Sequence, residues 1–238
     1  MNEDFIMEIP KAFKKGFCKR LIKKFEDNPA QHSKGVIGNA KENGQKVVAP
    51  KVKDDTEIQF DPSYLMSDWK DDLTIITKQV AVNMKKYVEK YSFTDDASQL
   101  PCGLYGISDI SLEDGFNMQR FDPGKGFFTW HCETGADHNS YRQIVWMVYL
   151  NDIKEKGGTL FKYQNLRIAP EAGKMLIWPA GWTQFHKSEI APKETKYIIT
   201  GWYVYSEIIG KEPPSPTQIP GGIQFGLSLI HISEPTRP

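Results

Sequence analysis

Cysteine is scarce: Cys18, Cys102 and Cys132 are the only three in 238 residues. They form no CxxC pair and no even framework, which excludes a disulfide scaffold and fits a reducing compartment. Neither sign of charge is in excess, because 30 Lys plus Arg face 30 Asp plus Glu. Such a balance gives no electrostatic footprint for bulk nucleic acid, so no nucleic-acid partner is expected. Long apolar runs are also lacking. No segment approaches a membrane span, and the opening MNEDFIMEIPKAFKKGF has early acids and no signal-type apolar stretch. A soluble, cytoplasmic protein with no membrane partner is the expectation. No internal repeat is evident, and the sequence is silent on oligomeric state.

What is present divides into two textures. Ala12 to Asp27 sets Phe13, Phe17, Leu21, Ile22 and Phe25 on one helical stripe, with the basic residues between Lys11 and Lys24 as its solvated face. Residues 29–57 are polar and read as a long loop of the kind that can serve as a lid. A second helix is expected from near Ser67, a suitable N-cap, with Trp69, Leu73, Ile76, Val80, Met84 or Tyr87, and Tyr91 at steps of three and four. From Leu104 onward, short runs rich in Val, Ile, Tyr, Phe and Trp alternate with Gly, Pro and Asp. About eight such runs, including YRQIVWMVYLND, GKMLIWPA and TKYIITGWYVYS, predict an antiparallel sandwich or barrel. The fold class is therefore α+β, mainly β. It has a double-stranded β-helix (jelly-roll) core, with N-terminal helices packed on one sheet. The expected division is a helical support region at 1–103, the jelly roll at 104–206 and an extension at 207–226. The final LSLIHISEPTRP, residues 227–238, back-translates to a sequencing-library adapter. It is expected to be an artefact that replaces the true end near Gly226.

FFTWHCETG, Phe127 to Gly135, carries a histidine and a glutamate one residue apart. Successive side chains of a strand alternate faces, so His131 and Glu133 share a face and Cys132 takes the other. An imidazole and a carboxylate so placed can hold two neighbouring positions of an octahedral metal. His186, in WPAGWTQFHKSEIAP, is the candidate third ligand. Two histidines and one carboxylate on one face of a metal make the donor set of non-haem Fe(II) oxygenases. The pair alone does not make the case, since His-x-Glu arises by chance in many chains.

The surrounding residues do more. RFDPGKGFFTWHCE, YLNDIKEKGGTLFKY and IAPEAGKMLIWPAGWTQFHKSEIAPKETKYIITGWY resemble the Fe(II)/2-oxoglutarate-dependent dioxygenases, specifically the prolyl 4-hydroxylase-like branch. The likeness runs over about residues 104–206. It consists of a PG-x-G turn, His-x-acid, a YLN-then-GG-x-L-x-F hairpin, and a distal histidine followed by a basic residue. The resemblance implies Fe(II) held by His131, Glu133 and His186. It also implies 2-oxoglutarate whose far carboxylate meets Lys196, ten positions after His186, with Tyr149 and Thr200 as further cosubstrate contacts. O2 is the second cosubstrate, and ascorbate is an accessory reductant the resemblance admits. The implied reaction hydroxylates an unactivated C–H, a prolyl residue of a peptide or protein in the first instance, with release of succinate and CO2. Peptide, protein and small-molecule substrates all stay open, and residues 31–60 and 104–120 are the regions expected to choose among them. Trp130, Trp146, Trp178 and Trp182 are expected in the sandwich core. Two features depart from the family pattern: Glu133 stands where Asp is commoner, and Phe121 where relatives often carry Tyr. Two other readings compete. A catalytically silent jelly-roll binding or structural module would not bring the four residues together. A cupin-like metalloenzyme without 2-oxoglutarate would leave Lys196 facing solvent.

Overall fold

A computed structural model describes residues 4–37, 41–42, 45–91, 110–135 and 137–205. The expected extension and tail at 207–238, and Cys102, lie outside the described residues. The sheet elements are β1 (Met7–Ile9), β2 (Ser33–Lys34), β3 (Lys41–Glu42), β4 (Gln45–Lys46), β5 (Thr56–Phe60), β6 (Ile110–Phe121) and β7 (Arg142–Tyr149). They continue with β8 (Thr159–Phe161), β9 (Leu166–Ile168), β10 (Met175–Pro179), β11 (His186–Ser188) and β12 (Lys196–Tyr205). Helices α1 (Lys15–Glu26) and α2 (Lys70–Tyr91) stand where the helical stripes placed them.

One antiparallel sheet runs in the order β1-β10-β7-β12-β6-β5-β2, and a smaller one in the order β11-β8-β9. This is the jelly-roll arrangement of two facing sheets, and strand alternation sorts its side chains into two cores. On the outer face of the large sheet, Ile144, Trp146 and Val148 of β7 join Met175 and Ile177 of β10 and Ile199 of β12. They pack with Leu21 and Phe25 of α1 and with Leu73, Ile76, Val80 and Tyr87 of α2. On the inner face, Val145, Met147 and Tyr149 join Leu176, Trp178, Ile198 and Trp202, and meet Phe161 of the small sheet. Period two on the strands and 3.6 on the helices thus account for the layering. A salt-bridged pin ties the helices to each other: buried Asp72 of α2 accepts from Arg20 and Lys24 of α1, both at 2.8 Å. Gly201 has a separate reason, since a Cβ there would run into the Trp146 indole that crosses beneath β12.

The structure differs from the sequence expectation in three places. Residues 29–57 are not one loop, for β2, the β3–β4 hairpin and the start of β5 lie within them, and β5 pairs with β6 in the large sheet. β1 also joins that sheet, against β10. Trp182 is not core, being 76% exposed, whereas Trp146 and Trp178 are buried and Trp130 is half-buried. Among the described residues, no helix is long and apolar enough to cross a membrane.

Candidate active site

The segment from Phe127 to Glu133 is not the regular strand its alternation suggested. It is an extended ribbon held by single bridges, Lys53 to Phe127 and His131 to His186. His131 and His186 exchange backbone hydrogen bonds at 3.0 and 2.8 Å, and the Glu133 amide donates to the Ala180 carbonyl at 3.0 Å. This pinning brings residues far apart in sequence onto one rim. One oxygen of Glu133, Oε1, lies 3.5 Å from His131 Nε2 and 3.4 Å from His186 Nε2. One ligand atom from each of the three residues falls within 4.8 Å of the others. Adjacent ligands of an octahedral ion with bonds near 2.1 Å lie roughly 3 Å apart, so the separations suit a small cation. Cys132, expected to face away, contributes to the cavity wall, and its thiol donates to the Thr134 carbonyl at 3.3 Å. The irregular backbone is the cause, because strict alternation needs a regular strand.

The imidazoles are set for metal binding by their other nitrogens. His131 Nδ1 meets the Thr129 carbonyl at 2.9 Å, and His186 Nδ1 meets the Gln184 carbonyl at 2.9 Å. A carbonyl can only accept, so each Nδ1 carries a proton and each Nε2 is the nitrogen turned toward Glu133, donating to it while protonated and free to offer a lone pair once a metal takes that proton's place. Phe127 stacks on the His131 ring at 3.6 Å between centroids. Burial alone would raise the Glu133 carboxyl, but the hydrogen bonds and charge of His131 and His186 hold it well below the usual carboxylate range. Burial, with His131 beside it, lowers His186. An ionised carboxylate and a neutral imidazole are the forms a metal needs. Two nitrogens and one oxygen on one side therefore fit Fe(II).

These donors open into a cavity of about 590 Å³ between the sheets. Lys196, Ile198, Thr200 and Trp202, which alternation puts on one face of β12, all line it. Lys196 is buried, with its ammonium 3.2 Å from the Gly157 carbonyl and 3.5 Å from Ser188 Oγ. Burial lowers it to about 8, which Glu189 only partly offsets. Phe121, where relatives often carry Tyr, presents its ring 5.0 Å from the Lys196 ammonium. Tyr149 is wholly buried behind the wall, and its hydroxyl is 2.6 Å from Thr159 Oγ1. Of the two hydroxyls, that of Thr159 belongs to a residue lining the cavity.

Several contributors have no signature in the chain. Trp202 Nε1 donates to Glu133 Oε2 at 3.0 Å, and Arg142 NH1 lies 3.6 Å from the same oxygen. At the far wall, Lys53 is salt-bridged to Glu57 at 2.7 Å and to Asp55 at 3.2 Å. Gln119 donates to Asp55 at 2.7 Å, and Gly35 leaves the space that Asp55 fills. Burial raises Asp55 to about 6, partly offset by Lys53. The alternation of TEIQF was the available signal for β5, obscured by the polar run before it.

Two facing sheets thus bring a His–Glu–His donor set and a buried lysine into one cavity. The model of the 2OG-Fe(II) oxygenase superfamily matches residues 116–204. No curated protein sequence matches the chain. Among solved structures, the viral collagen prolyl hydroxylase of Paramecium Bursaria Chlorella virus-1 superposes with a TM-score of 0.54 at 15% identity, over 84% of this chain and 95% of that one. A Pseudomonas putida prolyl-4-hydroxylase gives 0.56 at 13% identity, over 84% and 91%. A Trichoplax adhaerens prolyl hydroxylase, solved with a peptide fragment of the hypoxia inducible factor oxygen degradation domain, gives 0.62 at 12%, over 89% of each chain. Fe(II), 2-oxoglutarate and O2 are the cofactor and cosubstrates of this family.

Proposed function

We propose that the protein hydroxylates an unactivated C–H of a prolyl residue in a peptide or protein, converting 2-oxoglutarate and O2 to succinate and CO2. One observation carries the cosubstrate assignment: a buried lysine, with no carboxylate partner among the described residues, shares a cavity with three convergent metal donors. A dicarboxylate bound to the metal at one end and to Lys196 at the other supplies the missing counter-charge. A cupin-like site without 2-oxoglutarate gives no reason to bury that lysine. The prolyl substrate rests on the kinship in fold with prolyl hydroxylases, one of them solved with a peptide.

In this reading His131, Glu133 and His186 hold Fe(II), and the bound metal with its cosubstrate supplies the oxidising chemistry. The chain's own residues prepare the ground. Thr129 and Gln184 keep the Nε2 lone pairs aimed inward through their carbonyls. Lys196 orients the far carboxylate, with Thr159 backed by Tyr149 at its side and Thr200 nearer the metal. Ile198, Phe121 and Trp178 make that part of the cavity apolar and exclude water. The residues that bind and those that shield come from the region 104–206, with β5 and its flanks adding the outer wall.

The test is anaerobic addition of Fe(II) and 2-oxoglutarate, watching for the metal-to-ligand absorption band, followed by succinate release on admitting O2. Wild type gives both, and His131→Ala abolishes both. Folded wild-type protein with no band and no succinate would overturn the oxygenase reading. Proline-containing peptides then decide the substrate by mass gain of one oxygen, and a panel that stimulates no succinate release removes the prolyl assignment alone.

A further inference from the structure

Glu133 is one carbon–carbon bond, about 1.5 Å, longer than the aspartate commoner at this position. The structure gives that length a use. Its two oxygens face different partners: Oε1 looks toward the imidazoles of His131 and His186, while Oε2 accepts from Trp202 Nε1 at 3.0 Å. Arg142 reinforces the second contact, with NH1 3.6 Å from Oε2. The guanidinium is itself fixed, stacked 3.4 Å from the Trp202 ring centroid and bonded through Nε to Glu113 at 3.3 Å. Register shifts of β12 against β6 and β7 fall between Gly201 and Val204, where the indole is aimed at the rim. An indole N–H and a guanidinium on one oxygen leave only the other oxygen for a metal.

Resting on the metal-site reading above, we infer that Trp202 and Arg142 clamp Oε2 of Glu133 and make it a one-oxygen ligand, so that this site is built for glutamate and not aspartate. Trp202 and Arg142 are positioning residues that act through Glu133. The shorter side chain of an aspartate cannot reach the indole and still face both imidazoles. Restoring the commoner acid therefore weakens metal binding here. Freed of the clamp, Glu133 can swing its second oxygen onto the metal and occupy a position that a cosubstrate or O2 needs.

The experiment is Co(II) titration of the full chain, read by calorimetry and by the visible d–d spectrum, which reports coordination number without turnover. Wild type binds, and His131→Ala is the control for the site. Trp202→Phe is expected to weaken Co(II) about 10- to 100-fold and to alter the spectrum. Arg142→Lys keeps the charge but loses the stack, and is expected to weaken it several-fold. Glu133→Asp is expected to bind more weakly than wild type, and the double variant Glu133→Asp/Trp202→Phe no more weakly than Trp202→Phe alone, because both remove one interaction. Glu133→Asp binding as tightly as wild type, or losses that multiply in the double variant, would overturn the clamp and leave the metal site standing. Wild type binding no better than His131→Ala would overturn both. Should Trp202→Phe fail to fold by circular dichroism, Arg142→Lys and Glu133→Asp decide the matter, since neither empties the core.

Discussion

Two lysines line the same cavity and are about equally buried, Lys53 at 5% exposure and Lys196 at 3%. Their surroundings are opposite. Lys53 touches two carboxylates, Glu57 at 2.7 Å and Asp55 at 3.2 Å, and these outweigh burial and raise it. Lys196 meets a carbonyl and a hydroxyl, and among the described residues no carboxylate comes within salt-bridge distance. Glu189, whose charge acts on it, is already paired with Arg167 at 2.8 Å. A buried cation without an anion is costly, so a position that keeps one has a ligand to supply the charge. In the proposed reading the first lysine belongs to the architecture and the second to the cosubstrate site.

Exchanging each for methionine separates the roles. Lys53→Met leaves Asp55 and Glu57 buried without their cation, and is expected to cost about 3–5 kcal/mol of stability. Denaturant unfolding measures it, and a loss below about 1 kcal/mol would show the cluster to be loosely solvated. Lys196→Met removes no ion pair, so the unliganded fold holds or gains stability while 2-oxoglutarate affinity falls about 100-fold, on the order of 3 kcal/mol. A Kd for 2-oxoglutarate within threefold of wild type would remove Lys196 from the cosubstrate site.

The pH dependence contrasts them again. With Lys196 lowered to about 8 from its ordinary 10.5, the unfolded chain holds the proton longer than the native one between those values. Its contribution to stability therefore rises with pH across that window. Affinity for 2-oxoglutarate runs the other way, falling up to tenfold per pH unit above about 8 as the cation is lost. Lys53 is raised above 10.5, so its ion pairs stay intact through the same window and fade only beyond it. Isothermal titration from pH 7 to 10 checks the sign, and a flat profile would place the counter-charge elsewhere.

The part of this legible in the chain was the part that repeats. From Lys196 to Tyr203 β12 alternates, with Lys196, Ile198, Thr200 and Trp202 on the cavity face and Tyr197, Ile199 and Tyr203 in the core beneath the helices. The α1 and α2 stripes were equally plain. His131, Glu133, His186 and Lys196 stood out as candidates through the family resemblance of the motifs around them, since His-x-Glu alone did not make the case. What stayed hidden depends on contacts without period. Trp202 and Arg142 reach Glu133 across 69 and 9 positions of sequence, and neither is unusual where it stands. β5 was missed because the polar run before it obscures the short alternation of TEIQF, whose Ile58 and Phe60 enter the core while Glu57 and Gln59 face the other way.

The smallest expected effect tests Tyr149, expected as a direct cosubstrate contact and here proposed to act through Thr159. Its hydroxyl is buried behind the wall, 2.6 Å from Thr159 Oγ1, with a second contact to the Ile168 carbonyl at 3.4 Å. Since the carbonyl only accepts, the tyrosine hydrogen has two acceptors to choose from. Donating to Thr159 leaves the threonine hydrogen free to point into the cavity, toward a carboxylate held by Lys196. Tyr149→Phe frees that threonine to turn, and the expected change is a three- to tenfold rise in KM for 2-oxoglutarate, about 1 kcal/mol, with kcat little altered. Thr159→Val, which removes the hydroxyl at the wall itself, should match or exceed it, and the double variant should add nothing. Tyr149→Phe raising KM further on top of Thr159→Val would mean that the tyrosine reaches the cosubstrate without the threonine.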